Sequence, residues 1–226
     1  STVLCGDELN LVSQFRCNGS DGYLAFLDNL LGIRKTANTQ VDIDYDIQVF
    51  DSPGKMRDAL REKNRVANKS RMIAGYCYDW VSKKDRNLYD IILPGGFKAQ
   101  WNFSDTATWA IDDDSFDQVG CIHTSQGLEF DYVGIIIGKD LIFKDGEVQT
   151  DYLARAKTDT SLKGIKSSRN YALADRIIRN TYRTILSRGQ KGCFIYCEDE
   201  ALGGYIKRQL GSEDSTLCQL QKVGGR

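Results

Sequence analysis

A chain of 226 residues, 41% hydrophobic and 27% charged, is long enough to bury one sizeable core and has the make-up of a globular protein. No apolar run approaches a membrane span, Ser1–Gly6 lacks the basic-then-apolar order of a secretory signal, and two prolines leave little room for long disordered linkers. A net charge of −1 and a pI near 5.9 fail the basic-domain criterion for a nucleic-acid binder, without excluding a local basic groove.

Residues 7–16 read as a short strand or connector ending at Arg16. Tyr23, Phe26, Leu27, Leu30 and Leu31 then recur at helical spacing, with Gly32 as the stop. Residues 33–45 are polar and read as a surface loop, and Ile47–Phe50 as a strand. Asp51-Ser52-Pro53 is a helix-start signal, after which Met56, Ala59 and Leu60 face a core. The same segment carries Lys55, Arg57, Arg61, Lys63, Arg65, Lys69 and Arg71. This is a solvated face or, in the sharper reading, a track for a nucleic-acid backbone. Ser52-Pro53-Gly54-Lys55 is no phosphate loop, because it lacks the first glycine and the Ser or Thr after the lysine; no G-x-x-x-x-G-K-[ST] occurs in the chain.

Met72–Tyr76 reads as a strand. Leu88–Leu93, Ala99–Phe103 and Trp109–Ile111 read as an antiparallel excursion or edge strands, with a turn at Pro94-Gly95-Gly96. Tyr76, Tyr78, Trp80, Trp101 and Trp109 read first as core or half-buried sheet residues; stacking on bases is the sharper reading. Asp112-Asp113-Asp114 with Asp117 is a solvated capping run rather than a cation site. Lys144-Asp145-Gly146-Glu147 marks a hairpin, and residues 150–168 a polar, mobile excursion. Ser168–Ser187 is the clearest long helix, with Tyr171, Ala174, Ile178, Thr181, Tyr182 and Ile185 on one stripe; it delivers Arg188 and Gly189 to a turn. Gly192–Tyr196 is a strand, Asp199–Leu210 a closing helix, and residues 211–226 a frayed tail. The seven cysteines are odd in number and contain no C-x-x-C pair, which fits reduced thiols of a cytoplasmic protein. Cys193 and Cys197 share a strand face, and with His123 as the sole histidine no zinc or other metal site is expected.

The stretch Val119–Gly138 organises the rest. Val119–Ile122 and Tyr132–Ile137 read as buried strands around the polar segment His123–Asp131, in which Gly127 permits a tight turn. Polar loops at the ends of buried strands are where open α/β sheets place ligands. His123-Thr-Ser-Gln126-Gly127-Leu-Glu129-Phe-Asp131 resembles motif V of superfamily-one helicases, H-x-x-Q-G-x-E-[FW]-D. Asn180–Gly189 resembles motif VI, with Ser187 where threonine is usual, and Leu11–Arg16 resembles the Q-[FY]-R element of motif IV. Together with Ala74–Trp80 and Trp101-Asn102, these place the chain close to a bacterial family carrying a Schlafen-type, group-three helicase domain, over roughly residues 3–210.

The resemblance implies a RecA-like α/β three-layer sandwich over residues 1–210, with a mostly parallel sheet, small antiparallel insertions at 77–118 and 139–168, and a tail at 211–226. Such helicases hold ATP between two lobes. The phosphate loop and the Mg2+-binding acidic motif lie on the first, and this chain matches the second, so it reads as part of a longer protein whose missing N-terminal lobe is its main partner. By the same resemblance Arg188 and Arg16 are the catalytic arginines. Gln126, Gly127 and Glu129 approach the nucleotide, and His123, Thr124 and Ser125 face a DNA or RNA backbone. ATP and Mg2+ belong to the intact protein, and the chain alone is expected to be inactive. The alternative is a nucleotide-switched or degenerate module that binds nucleic acid or protein without helicase activity.

Overall fold

The computed structural model describes residues 21–37, 45–103, 108–157 and 159–211. In chain order these form α1 (Asp21–Leu30), β1 (Asp46–Phe50), α2 (Pro53–Ala67), β2 (Ser70–Ala74), β3 (Ile91–Leu93), β4 (Phe97–Ala99), β5 (Val119–Gly120), β6 (Phe130–Ile137), β7 (Leu141–Lys144), β8 (Glu147–Thr150), α3 (Ile165–Ser168), α4 (Tyr171–Leu186), β9 (Gly189–Cys197) and α5 (Glu200–Gln209). Five strands make one wholly parallel sheet in the order β1-β9-β6-β2-β5, and β3-β4 and β7-β8 are separate antiparallel pairs. Parallel sheets need both faces covered. Here Val133, Ile135 and Ile137 of β6 point to a core shared with α1, α4 and α5. Ile136 points to a second core, closed by Met56 and Leu60 of α2 and by the β3-β4 hairpin. This is the expected RecA-like three-layer sandwich.

Local chemistry sets the element ends. Ser52 Oγ accepts a hydrogen bond from the Lys55 N–H ahead of Pro53. Asn170 caps α4, and Arg169 before it sits at φ +53°, so the helix starts at Tyr171 rather than Ser168. Asp199 Oδ1 caps α5 and also accepts from the Phe143 N–H at 3.1 Å, fastening the β7-β8 hairpin to that helix. Asp145 and Gly146 both take positive φ in the hairpin turn.

Several expectations change. The β3-β4 pair is shorter than the strands expected at 88–93 and 99–103, and Trp101 makes an isolated bridge to Val119. Trp109–Ile111 is a turn rather than a strand. Its backbone is used by Arg71, which is wholly buried and donates to the carbonyls of Ser70, Trp109 and Asp112 and to Ser115 Oγ. Burial lowers the Arg71 pKa to about 10, against the opposing pull of Asp112 and Asp113. Arg71 is therefore no part of an exposed cationic track. On α2, Arg57 lies over Phe97, Arg61 pairs with Asp117 at 2.6 Å, Lys63 with Asp46 at 2.8 Å, and Arg65 with Glu62 at 2.7 Å. That face is partnered along most of its length. Cys193 and Cys197 both point into the first core.

The excursion expected to be mobile at 150–168 holds a buried polar centre. Arg155 donates to Asp140 at 2.7 Å and to Asp159 at 3.0 Å, and the side chains of Arg155 and Asp140 have 0% exposure. Arg155 also reaches Thr181 Oγ1 on α4, and the Tyr182 hydroxyl donates to the second Asp140 oxygen. Burial works to lower the Arg155 pKa, but the charge of Asp140, then Tyr182 and Asp159, raises it overall.

At the opposite end of the sheet β9 carries a bulge. Phe130 opposes Gly189 and Tyr132 opposes Gly192, so β9 has one residue more than β6 in this interval. A Cβ on Gly189 would stand 2.1 Å from the Gly192 carbonyl oxygen, which is backbone and cannot yield cheaply.

Both centres can be tested by unfolding in urea. Asp140→Asn removes the charge that balances a fully buried guanidinium and is expected to cost about 3–5 kcal/mol. Gly189→Ala is expected to cost about 1–3 kcal/mol by forcing the bulge open; an unchanged midpoint would show that the strand start tolerates a side chain.

Candidate functional site

The geometry of residues 121–129 follows from topology. Strands β5 and β6 are parallel with β2 between them, so the chain must return from the carboxyl end of one to the amino end of the other. It does so in helical turns, with Ser125 N–H donating to the Cys121 carbonyl, Gln126 to His123 and Leu128 to Ser125. Gly127, at φ +79° and with nothing within 4 Å of where a Cβ would stand, makes the final turn. Ile122 and Leu128 anchor the loop on the first core, while His123, Gln126, Gly127 and Glu129 are exposed. His123 and Glu129, close in sequence, therefore stand at opposite ends of the sheet.

At the amino end, Glu129 and Arg188 immediately precede Phe130 and Gly189, which face each other across the β6-β9 ladder. The register brings the starts of β6 and β9, which follow Glu129 and Arg188, side by side. Arg188 is 6% exposed. Its turn is held by Tyr45, whose hydroxyl donates to the Gly189 carbonyl at 3.2 Å, and by Tyr23, which donates to the Leu186 carbonyl at 3.0 Å. Lys191 pairs with Asp131 at 2.7 Å beside them. Arg16 lies outside the described residues.

At the carboxyl end, His123 is exposed and meets Tyr76 edge to face, with ring centroids 6.2 Å apart. The next two hydroxyls turn inward. Thr124 donates to the Asn102 side-chain oxygen, and Ser125, with 0% exposure, donates to the Ile122 carbonyl. They shape the loop, leaving His123 as the exposed member of the expected backbone-facing trio.

Beside His123 opens a cavity of about 460 Å³ lined by Tyr76, Trp80, Trp101, Asn102, Lys83, Lys84 and Asp159, among others. The five aromatics singled out from the sequence thus divide. Trp109 is core, Tyr78 is buried with its hydroxyl on Glu198, and Tyr76, Trp80 and Trp101 share one cavity wall. Burial, then Cys121 and Asp159, pushes the Tyr76 phenol far above its ordinary pKa, so it is neutral. Arg155 stacks on its ring at 5.2 Å. Asp159 and Arg155 are site residues that residue order did not single out, and Asn102 entered only through the resemblance at Trp101-Asn102. Nothing in the polar run 150–168 distinguishes Arg155 or Asp159 from solvated residues.

Among the described residues no group of three or more His, Cys, Asp or Glu side chains is placed to hold a metal ion, and no helix is long and apolar enough to cross a membrane. The Schlafen group 3 DNA/RNA helicase domain matches this sequence over residues 2–199. The uncharacterised protein YPL245W of Saccharomyces cerevisiae is 26% identical over 167 residues, a span that covers 70% of this chain and 36% of the yeast protein. The similarity thus accounts for little more than a third of that relative's length. With the wholly parallel sheet, the match over most of the sequence leads to one conclusion: the chain belongs to the Schlafen group 3 DNA/RNA helicase domain family.

Proposed function

We propose that this chain is the second, C-terminal RecA-like lobe of a nucleic-acid-dependent ATPase, completing a site whose phosphate loop lies on a first lobe. The observation that carries the reading is the β6-β9 register, which sets Glu129 and Arg188 side by side at the amino end of the sheet while His123 sits at the far end of the same loop. A carboxylate and a guanidinium from neighbouring strand starts suit the sugar hydroxyls and phosphates of a nucleotide. The open backbone at Gly127 and the exposed Gln126 amide extend that surface. No residue pattern in the 226-residue sequence cradles a triphosphate, so the donor set fits a cap and not a holder.

When bound between the lobes, ATP with its Mg2+ supplies the phosphoryl group that is transferred to water. Arg188 meets the charge that grows on the phosphate oxygens, and its low exposure strengthens that interaction by keeping water away. Glu129 accepts from the sugar and sets the register, with Gln126 and Gly127 beside it; Arg16 is the second cation. His123 contacts the DNA or RNA strand, with Thr124 and Ser125 shaping the loop beneath it. A second reading, a nucleotide-switched binding module that does not translocate, is favoured by the inward hydroxyls of Thr124 and Ser125 and by the near-neutral net charge.

In the intact protein, Arg188→Ala is expected to lower ATP turnover by about 1,000-fold or more while weakening nucleotide binding far less. Equal loss of both would make Arg188 a binding residue. The isolated chain is expected to bind ATP weakly and to hydrolyse none. Turnover by the pure chain, abolished by the same substitution, would overturn the two-lobe reading. Stimulation of the intact protein by single-stranded DNA or RNA separates the motor from the switched module.

A further inference from the structure

The cavity beside His123 has features that a hydrophobic core would not retain. Trp101 is 4% exposed and forms the floor. Tyr76 and Trp80 stand nearly perpendicular to it, at interplanar angles of 82° and 83° and centroid distances of 5.5 and 6.3 Å. The indole N–H groups of both Trp80 and Trp101 are shielded from solvent, and neither has an acceptor among the described residues. Buried indole donors are normally paired, so two unpaired ones in the wall of a single cavity are donors that a small ring rotation presents to an acceptor from outside the fold.

Asn102 adds a third donor. It is held at φ +53°, a conformation uncommon for a side chain other than glycine. Its carbonyl oxygen is occupied by the Thr124 hydroxyl and by Cys121 Sγ, which turns the amide N–H groups to the other side. At the rim stand Lys83, whose ammonium lies 4.7 Å from the Trp80 ring centroid, and Lys84, both exposed. An aromatic enclosure can also hold a methylated ammonium. Here the two lysines and Arg155, stacked on Tyr76, oppose a cation, and the unpaired groups are two indole donors and the Tyr76 hydroxyl, which can donate or accept.

We propose that this pocket receives one unstacked nucleobase of a single strand, with Lys83 and Lys84 on the flanking phosphate and the indole and Asn102 donors on the base edge. The proposal deepens the nucleic-acid reading above and rests on it. Because the indole and amide groups are donors, the pocket favours thymine or uracil, which present two carbonyl oxygens and one N–H, over adenine, whose ring-nitrogen acceptors sit beside an amino donor. Thr124 acts as a positioning residue by fixing Asn102.

The test uses the intact protein with labelled oligothymidylate, labelled oligoadenylate and free thymidine monophosphate, reading anisotropy and tryptophan emission. Oligothymidylate is expected to quench the emission and to bind about fivefold or more tighter than oligoadenylate. Trp80→Ala is expected to weaken oligothymidylate binding about tenfold. Trp80→Phe keeps a ring without the N–H, so it should restore most of the affinity while reducing the thymine preference. Unchanged oligonucleotide affinity in Trp80→Ala and in the exposed-rim variant Lys83→Glu would overturn the base pocket and leave the nucleic-acid reading standing. No binding of either oligonucleotide would overturn both. Thymidine monophosphate binding as tightly as the oligonucleotide would assign the pocket to a free nucleotide and overturn the strand contact.

Discussion

The buried pair Asp140–Arg155 is the constraint on which both ends of the molecule depend. A guanidinium with 0% side-chain exposure is tolerable only where its charge is balanced and its donors are filled. Asp140, Asp159, Ser161 and Thr181 accept from four of its five N–H groups, and Tyr182 takes the remaining Asp140 oxygen. The partners come from the turn after β6, from the excursion after β8, and from α4. One polar centre thereby joins three segments that hydrophobic packing alone would allow to slide. Apolar contacts are non-directional, whereas a planar fork facing a carboxylate accepts few arrangements.

That centre also touches both regions to which a function is proposed. Arg155 stacks on Tyr76, a wall of the cavity, and its Asp159 partner lines the same space. Thr181 and Tyr182 lie on the helix that ends at Leu186, two residues before Arg188. The cavity wall and the arginine turn are therefore attached to one helix through one ion pair. Residues 121–129 make a second connection, spanning the sheet from His123 at one end to Glu129 at the other. Under the proposed function, a lobe that senses a strand at one end and a nucleotide at the other needs such shared elements; the structure offers a helix and a loop, each packed on the same core.

Much of this was readable from residue order. The β-branched run Tyr132–Ile137 and the flanking polar turn announced a buried parallel strand preceded by a polar loop. Ser52-Pro53 and Asp145-Gly146 marked a helix start and a hairpin, because their backbone chemistry is local. The long helix was legible from its stripe, including Tyr182, although that residue's hydroxyl proved as important as its ring. Trp109 was misread as a strand residue: its turn exists because Arg71, distant in sequence, draws the local carbonyls inward. Arg71 itself was counted with the surface cations, since sequence cannot distinguish a solvated arginine from one with pre-arranged acceptors.

Periodicity, turn chemistry and the two motif-like segments were enough to give the α/β class, the parallel sheet and the neighbourhood of Gln126–Glu129 and Arg188, because these are written in short-range patterns. Strand order was not, nor was the sorting of aromatics into core and cavity. Nor could residue order tell that Thr124 and Ser125 point inward while His123 points out. Those depend on which segments meet across the sheet, through the β6-β9 register, the return path over β2 and the Asp140–Arg155 pairing. Long-range contacts of this kind are chosen by burial and charge balance over the whole fold, and no local window contains both partners.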